Sequence, residues 1–306
     1  MTTGWRRATF TAALLASVLF GSALAAAGCS AQGDGSTVAG PSLASPTIAA
    51  VPPAPASAAD ALTQLPLEAY TLAVGPEANI VDQAQAILIA RCVADRGYAS
   101  LTAAVIYGQI SGASGAATPV AAGAWGYVGR SQAATSGFHP GPHGRTLSFS
   151  GQAEAAAFQG CVAKAQASLV SGRPAVGGAL IEQLSSYAFG NTLGDRRIET
   201  ATSAWAKCMN AKGQTADNPE SLADQPWPTP TATPAELAVA TADEACTVSS
   251  NLAGLYFAVL AGYQRELIAD HGPALTALRQ ADQNELANAR RTIASATPLP
   301  SVSAPV

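Results

Sequence analysis

Two stretches of this chain share one signature. Cys92-Val-Ala-Asp-Arg-Gly97 and Cys208-Met-Asn-Ala-Lys-Gly213 both run cysteine, apolar residue, two further residues, base, glycine. Each precedes a second cysteine on an alanine-rich stretch, EAAAFQGC at Cys161 and AVATADEAC at Cys246. This self-similarity predicts a duplicated helix pair, with a Gly-rich insertion at 98–150 inside the first copy. It also predicts how the cysteines pair. Four cysteines allow three connectivities, and the repeat selects Cys92–Cys161 and Cys208–Cys246, each bridge tying the two helices of one unit. Loop closure over such separations is worth roughly 4 kcal/mol per bridge as an upper figure. Zinc fits the four cysteines less well, because there is no C-x2-C pair and the spacing is wide. The expected fold class is therefore mainly α, a disulfide-stapled helical domain.

Apolar periodicity places the helices. Between Pro76 and Gly97, Val81, Ala84, Leu88 and Cys92 recur at three- and four-residue spacing, and Gly97 supplies a stop. Residues 152–170, 176–189 and 194–212 make three more candidates, the last carrying Ile198, Ala201, Trp205 and Cys208. The longest run starts at Pro234, behind Thr233 as N-cap. Leu252, Tyr256, Val259, Tyr263 and Leu267 form one stripe, and Leu275, Leu278, Leu286, Ala289 and Ile293 continue it past a break at His271-Gly272-Pro273. The segment LAGLYFAVLAGY is too short to span a bilayer and reads as core. Residues 98–150 read as a long loop with room for a short strand pair.

The N-terminus constrains the compartment. Arg6 and Arg7 precede an uncharged stretch over residues 8–27, the plan of a secretory signal. It ends Ala26-Ala27-Gly28-Cys29, which resembles the lipobox of bacterial lipoproteins. The resemblance implies cleavage of residues 1–28, lipidation of Cys29 (palmitate or a similar acyl chain), and a place on the outer face of the cytoplasmic membrane. The alternative is plain secretion, because Ala25 and Ala27 also fit a small-x-small cleavage site. Cysteine parity favours the lipid: of five cysteines, Cys29 taken as carrier leaves an even four for an oxidising compartment. Cleavage takes two arginines and no acid, so the formal charge moves from −4 to −6. That mildly acidic balance excludes a nucleic-acid partner and a polybasic lipid-binding patch.

Residues 29–65, rich in Ser, Pro and Ala, read as a disordered linker, and 297–306 as a disordered tail. Between them, 66–296 is the helical domain. Its motifs are Cys-x4-Gly-Tyr at Cys92 to Tyr98, Trp-x2-Cys-Met-x3-Gly at Trp205 to Gly213, and Ala-x-Ala-Asp-x2-Cys at Ala240 to Cys246. Taken in this order with the lipid signal, the chain resembles a group of uncharacterised actinobacterial cell-envelope lipoproteins. The resemblance covers roughly 66–296 and implies service beside envelope transport or peptidoglycan machinery, with no catalytic activity attached.

The residues offer little chemistry of their own. His139 and His143 lie near each other in a loop, but no nearby acid or cysteine completes a metal set. His271 sits at a helix break and reads as a cap or solvent contact. Asp243 lies on the face of Cys246 and is expected to accept hydrogen bonds from a neighbouring helix end, or to pair with Arg91 or Lys207. G-x-S-x-G, S-x-x-K, H-E-x-x-H, the phosphate loop and the dinucleotide fingerprint are all missing from the sequence. Trp125, Tyr127 and Phe138 are candidate ligand contacts, aromatics in a Gly-rich insertion; the competing reading folds them back onto the helices. The sequence therefore points to no enzyme, no cofactor and no metal. Its leading expectation is an accessory or interaction lipoprotein, and its alternative a ligand-binding one with 98–150 closing over an interhelical pocket.

Overall fold

The computed structural model describes residues 42–72, 76–116, 123–139, 147–171, 178–227 and 231–296. Cys29, His143 and the tail from 297 lie outside them. The described residues form eleven α-helices and no strand. In chain order these are α1 (Ala58–Thr63), α2 (Pro76–Ala94), α3 (Ala103–Ala116), α4 (Arg130–Thr135), α5 (Gln152–Leu169), α6 (Gly178–Leu193), α7 (Arg196–Ala211), α8 (Pro219–Ala223), α9 (Pro234–Ser249), α10 (Leu252–Asp270) and α11 (Gly272–Ala294), with a 3₁₀ turn at Pro66–Tyr70.

The stops are where the sequence puts them. Gly97 and Gly213 take φ of +91° and +78° beyond α2 and α7, a left-handed backbone that glycine adopts without a Cβ penalty. Thr233 caps α9 by accepting from the Glu236 N–H, with Pro234 in the first turn. The break at His271 is present, and His271 Nδ1 lies 2.9 Å from the Leu267 carbonyl. A second break was not expected. Asn251 adopts φ +52°, so α9 and α10 meet at 65°; asparagine tolerates this conformation better than most residues.

Two hydrophobic cores result. The larger gathers α6, α7, α9, α10 and segment 123–138 around Trp205, Tyr256, Leu184 and Phe138. The whole predicted stripe on α10 is buried. The smaller lies among α2, α3 and α5, around Ile89, Val93, Ile106, Phe158 and Cys161. Helix α11 packs along α2, with Ala289 beside Ala84 and Leu169 in a third cluster. The 3₁₀ turn joins α10 to α11: the Leu67 N–H donates to Gln264 Oε1 at 3.0 Å, and Arg279 stacks over Tyr70 at 4.7 Å. No single helix among the described residues is long and apolar enough to cross a membrane.

Two expectations need correction. The insertion 98–150 contains α3 and α4 rather than a loop with a strand pair. Packing against α2 buries Ile106 completely, which outweighs the weak helix propensity around Gly108. The expected linker 29–65 is packed from residue 42 onward, and α1 begins at Ala58. Composition alone misjudged this stretch: Leu43 and Ile48 pack against the larger core and Pro46 is buried beside Gly262, while Val51 stays exposed.

Candidate functional site

Both disulfides join the predicted partners. Cys92 pairs with Cys161 and Cys208 with Cys246, at Cα–Cα distances of 5.7 and 5.6 Å. The helices run in different relative senses in the two disulfide-joined pairs, so the pairs are alike in sequence motif and not in arrangement. Beside Cys92–Cys161, Arg96 donates to the Ala157 carbonyl and Ser100 to Glu154, so contacts step in opposite senses along α2 and α5. Beside Cys208–Cys246, Trp205 Nε1 donates to Asp243 Oδ1 at 2.8 Å, so they step in the same sense along α7 and α9. The motifs Trp-x2-Cys and Asp-x2-Cys thus interlock, one turn of each helix supplying a covalent and a polar bolt.

The most unusual surface within the domain is the inner face of α9. Glu236, Asp243 and Glu244 are 0%, 1% and 8% exposed. They recur at i, i+7 and i+8, which places them on one helical face. Buried carboxylates are rare unless partnered, so each demands an account. Asp243 accepts from Trp205 and, at 3.5 Å, from Thr247; Arg91 instead donates to the Ser295 carbonyl. Burial pushes the Asp243 carboxyl up to about 7, with Glu244 adding repulsion, while the Trp205 and Thr247 hydrogen bonds oppose the shift. Burial also raises Glu244, and Arg130 across from it works the other way. Glu236 Oε1 accepts from the Phe138 N–H at 2.9 Å and lies 2.8 Å from His139 Nδ1. Its Oε2 has no hydrogen-bond partner among the described residues.

What covers this face is segment 123–139. Its backbone is unusual: Gly123, Gly126, Gly129, Gly137 and Trp125 all have positive φ. Trp125 at +49° is costly for a bulky side chain, and its burial holds it there. A Cβ at Gly126 would overlap the Pro219 backbone, and one at Gly137 would sit 2.5 Å from Glu236 Oε1.

The three candidate ligand aromatics are inside. Trp125, Tyr127 and Phe138 are 8%, 4% and 0% exposed. Trp125 stacks on Tyr256 with centroids 5.5 Å apart, Tyr127 meets Phe257 edge-on at 6.0 Å, and Phe138 stacks on Trp227 at 5.4 Å. Tyr256 donates to the Gly123 carbonyl at 2.6 Å, and Tyr127 to the Pro55 carbonyl. Burial raises both phenols far above the usual range. The cavity beside Trp125, Tyr127 and Tyr256 measures about 10 Å³, room for no more than a single water. The three rings thus lie folded back onto the helices, packed in the core.

Chemically, the arrangement can hold protons and bolt helices together. No group of three His, Cys, Asp or Glu side chains able to hold a metal occurs among the described residues. An open groove of about 480 Å³ runs beside Arg196, Arg197, Thr200, Ala201, Ala204, Ser250 and Leu255; its two hydroxyls, Thr200 and Ser250, donate to backbone carbonyls of their own helices. Comparison with protein-family models, with curated proteins and with solved structures finds no match to this chain.

Proposed function

We propose that the chain is an exported, non-catalytic lipoprotein, held at the outer face of the cytoplasmic membrane through Cys29, which serves envelope transport or cell-wall machinery as an accessory or interaction component. One observation carries the reading: a mainly helical domain stapled by two disulfides follows a signal-like, lipobox-like N-terminal sequence. Structural disulfides persist in oxidising compartments, and the remaining cysteine is the one that the lipid would take. Asp243 is engaged by Trp205 of α7 and Glu236 by Phe138 and His139 of the covering segment, and the space beside the insertion's aromatics is too small for a substrate. Both features suit a scaffold that presents its outer surface to other proteins.

Site-specific photocrosslinking tests this in the membrane-bound protein of a native-like host. Probes replace the exposed apolar residues Val105 on α3 and Val248 on α9. Discrete crosslinks to transport or cell-wall proteins are expected. Saturable one-to-one binding of a small molecule, with no protein crosslink from either position, would replace this reading with the ligand-binding one. Recovery of the protein wholly from the culture medium would replace the anchor with plain secretion.

A further inference from the structure

Residues 42–57 are the part of the described chain whose hold on the domain differs most from the rest. They carry Pro46, Pro52, Pro53 and Pro55, which fix φ, favour an extended course and remove backbone donors. Among the described residues, no backbone–backbone hydrogen bond ties 42–56 to the domain. The segment is held by side chains and by glycine seats. The Leu43 N–H donates to Asn191 Oδ1 at 2.9 Å. Ser45 donates to Asp195 Oδ2 at 2.7 Å, and Arg197 reaches both Ser45 Oγ and the Pro46 carbonyl at 2.9 Å. Asp195 is the hub: it caps α7, accepts three bonds from Arg197, and takes the Tyr263 hydroxyl at 3.2 Å. Further along, α10 offers two seats without a Cβ. One at Gly262 would lie 2.6 Å from the Pro46 ring, and one at Gly254 would overlap the Pro52 carbonyl. At the far end, Gly129 with φ +88° clasps the Ala56 carbonyl, and Ser57 opens α1.

Glycine inside a helix costs about 1 kcal/mol relative to alanine. Gly254 and Gly262 both lie inside α10, so the sequence gives up helix stability at the two places where the segment passes. The Arg197 side chain in the clamp remains 34% exposed and that of Asp195 2%, so the clamp's outer arm faces solvent while its hub lies buried.

We propose that residues 42–57 form a releasable strap, clamped at Asp195 and Arg197, whose docking sets how far the domain can stand from its N-terminal anchor. The reach rests on the lipid at Cys29 proposed above; the strap itself does not. Ser42 follows Cys29 by 13 residues and Ser57 by 28. A chain extends at most about 3.5 Å per residue, so the docked strap limits the reach to about 45 Å and a released one to about 100 Å. Opening the clamp doubles the reach while the two disulfides and both cores stay in place.

The test is the full mature chain carrying Gly254→Ala and Gly262→Ala. These changes favour the helix and disfavour the strap, so they separate release from unfolding. Hydrogen exchange is read on the Leu43 amide, which donates to Asn191 Oδ1, and on α7 and α10, with the Cys29→Ser protein in solution. In the unsubstituted protein the Leu43 amide should be protected. In the double variant it should exchange about tenfold faster or more, with α7 and α10 unchanged. A Leu43 amide that exchanges like free peptide before substitution, or equally in both proteins, overturns the strap. Equal loss of protection in α10 overturns its being releasable. Neutron reflectometry of the acylated proteins on a supported bilayer then reads the mean gap beneath the domain, which should be wider for the variant by about 10 Å, the difference between tethers of 28 and 13 residues. An identical gap overturns the claim about reach. Absence of acylation at Cys29 instead defeats the anchor reading and leaves the exchange result standing.

Discussion

Replacing Asp243 by Asn should make the domain's stability less dependent on pH. The Asp243 side chain is buried against Trp205, and its pKa rises from an ordinary 3.8 to about 7. The folded state therefore binds more protons than the unfolded state between those values. Stability must then fall as pH rises through the window, because the slope follows the difference in bound protons. Below about pH 4 the carboxyl is protonated in both states and costs nothing. Above about pH 7 the folded protein carries the buried charge, at up to about 4 kcal/mol for a shift of some three units. Asn keeps an acceptor for the indole N–H and cannot ionise. It also relieves Glu244, whose repulsion contributes to the Asp243 shift. Guanidinium unfolding of the oxidised protein, in steps from pH 5 to 8.5, measures the difference between variant and parent. That range lies above the ordinary values of Asp195 and Glu154, both held low by hydrogen bonds, so neither contributes slope. The variant's stability relative to the parent should climb by about 1 kcal/mol per pH unit, levelling off above pH 7. A difference that stays flat, or one that shrinks with rising pH, would refute the assignment of a costly buried carboxylate.

Three further outcomes follow from the same contacts. Gly126→Ala combines a positive φ with overlap of the Pro219 backbone and should cost about 2 kcal/mol or more in chemical unfolding. Removing the Cys208–Cys246 bridge with paired alanines opens a separation of 38 residues; chain entropy sets the loss near 4 kcal/mol as an upper figure, seen as a lower denaturation midpoint. Asp195→Ala should destabilise the domain at neutral pH by about 2–4 kcal/mol, since it leaves Arg197 without its carboxylate. Because the folded pKa of Asp195 is depressed, its contribution is full above about pH 4 and is lost as pH falls, so the gap between variant and parent should narrow in acid.

Much of the fold was legible because it is local. Thr233 and Pro234 announce a helix start, Gly97 and Gly213 announce stops, and the α10 stripe spells out which face is buried. The disulfide pairing was legible because two short motifs repeat in order. What escaped was tertiary. The break at Asn251 was hidden by apolar periodicity that continues across it. Helix α3 was masked by glycines whose weak propensity is overcome by contact with α2. The strap reads as linker because proline and alanine carry little hydropathy signal, whereas its binding depends on Asp195, far away in sequence. At the candidate site, Asp243 was identified as an acceptor but its partner was not. The equal x2 spacing in Trp205–Cys208 and Asp243–Cys246 was the available signal, since a bridge at one pair places the other pair in register when the helices run the same way. Glu236 gave no signal: acids are common in the first turn of a helix, and only the fold shows that this one is covered by Phe138 and His139.

The lipid anchor and both bridges are tested together by the intact mass of the protein made in a native-like host, unreduced and reduced, beside a Cys29→Ala control. The expected result is a chain beginning at Cys29 and carrying acyl groups, a gain of four hydrogens on reduction for the two bridges, and loss of the acyl mass in the control. An unacylated chain that begins near residue 28, or free thiols among Cys92, Cys161, Cys208 and Cys246 before reduction, would contradict it.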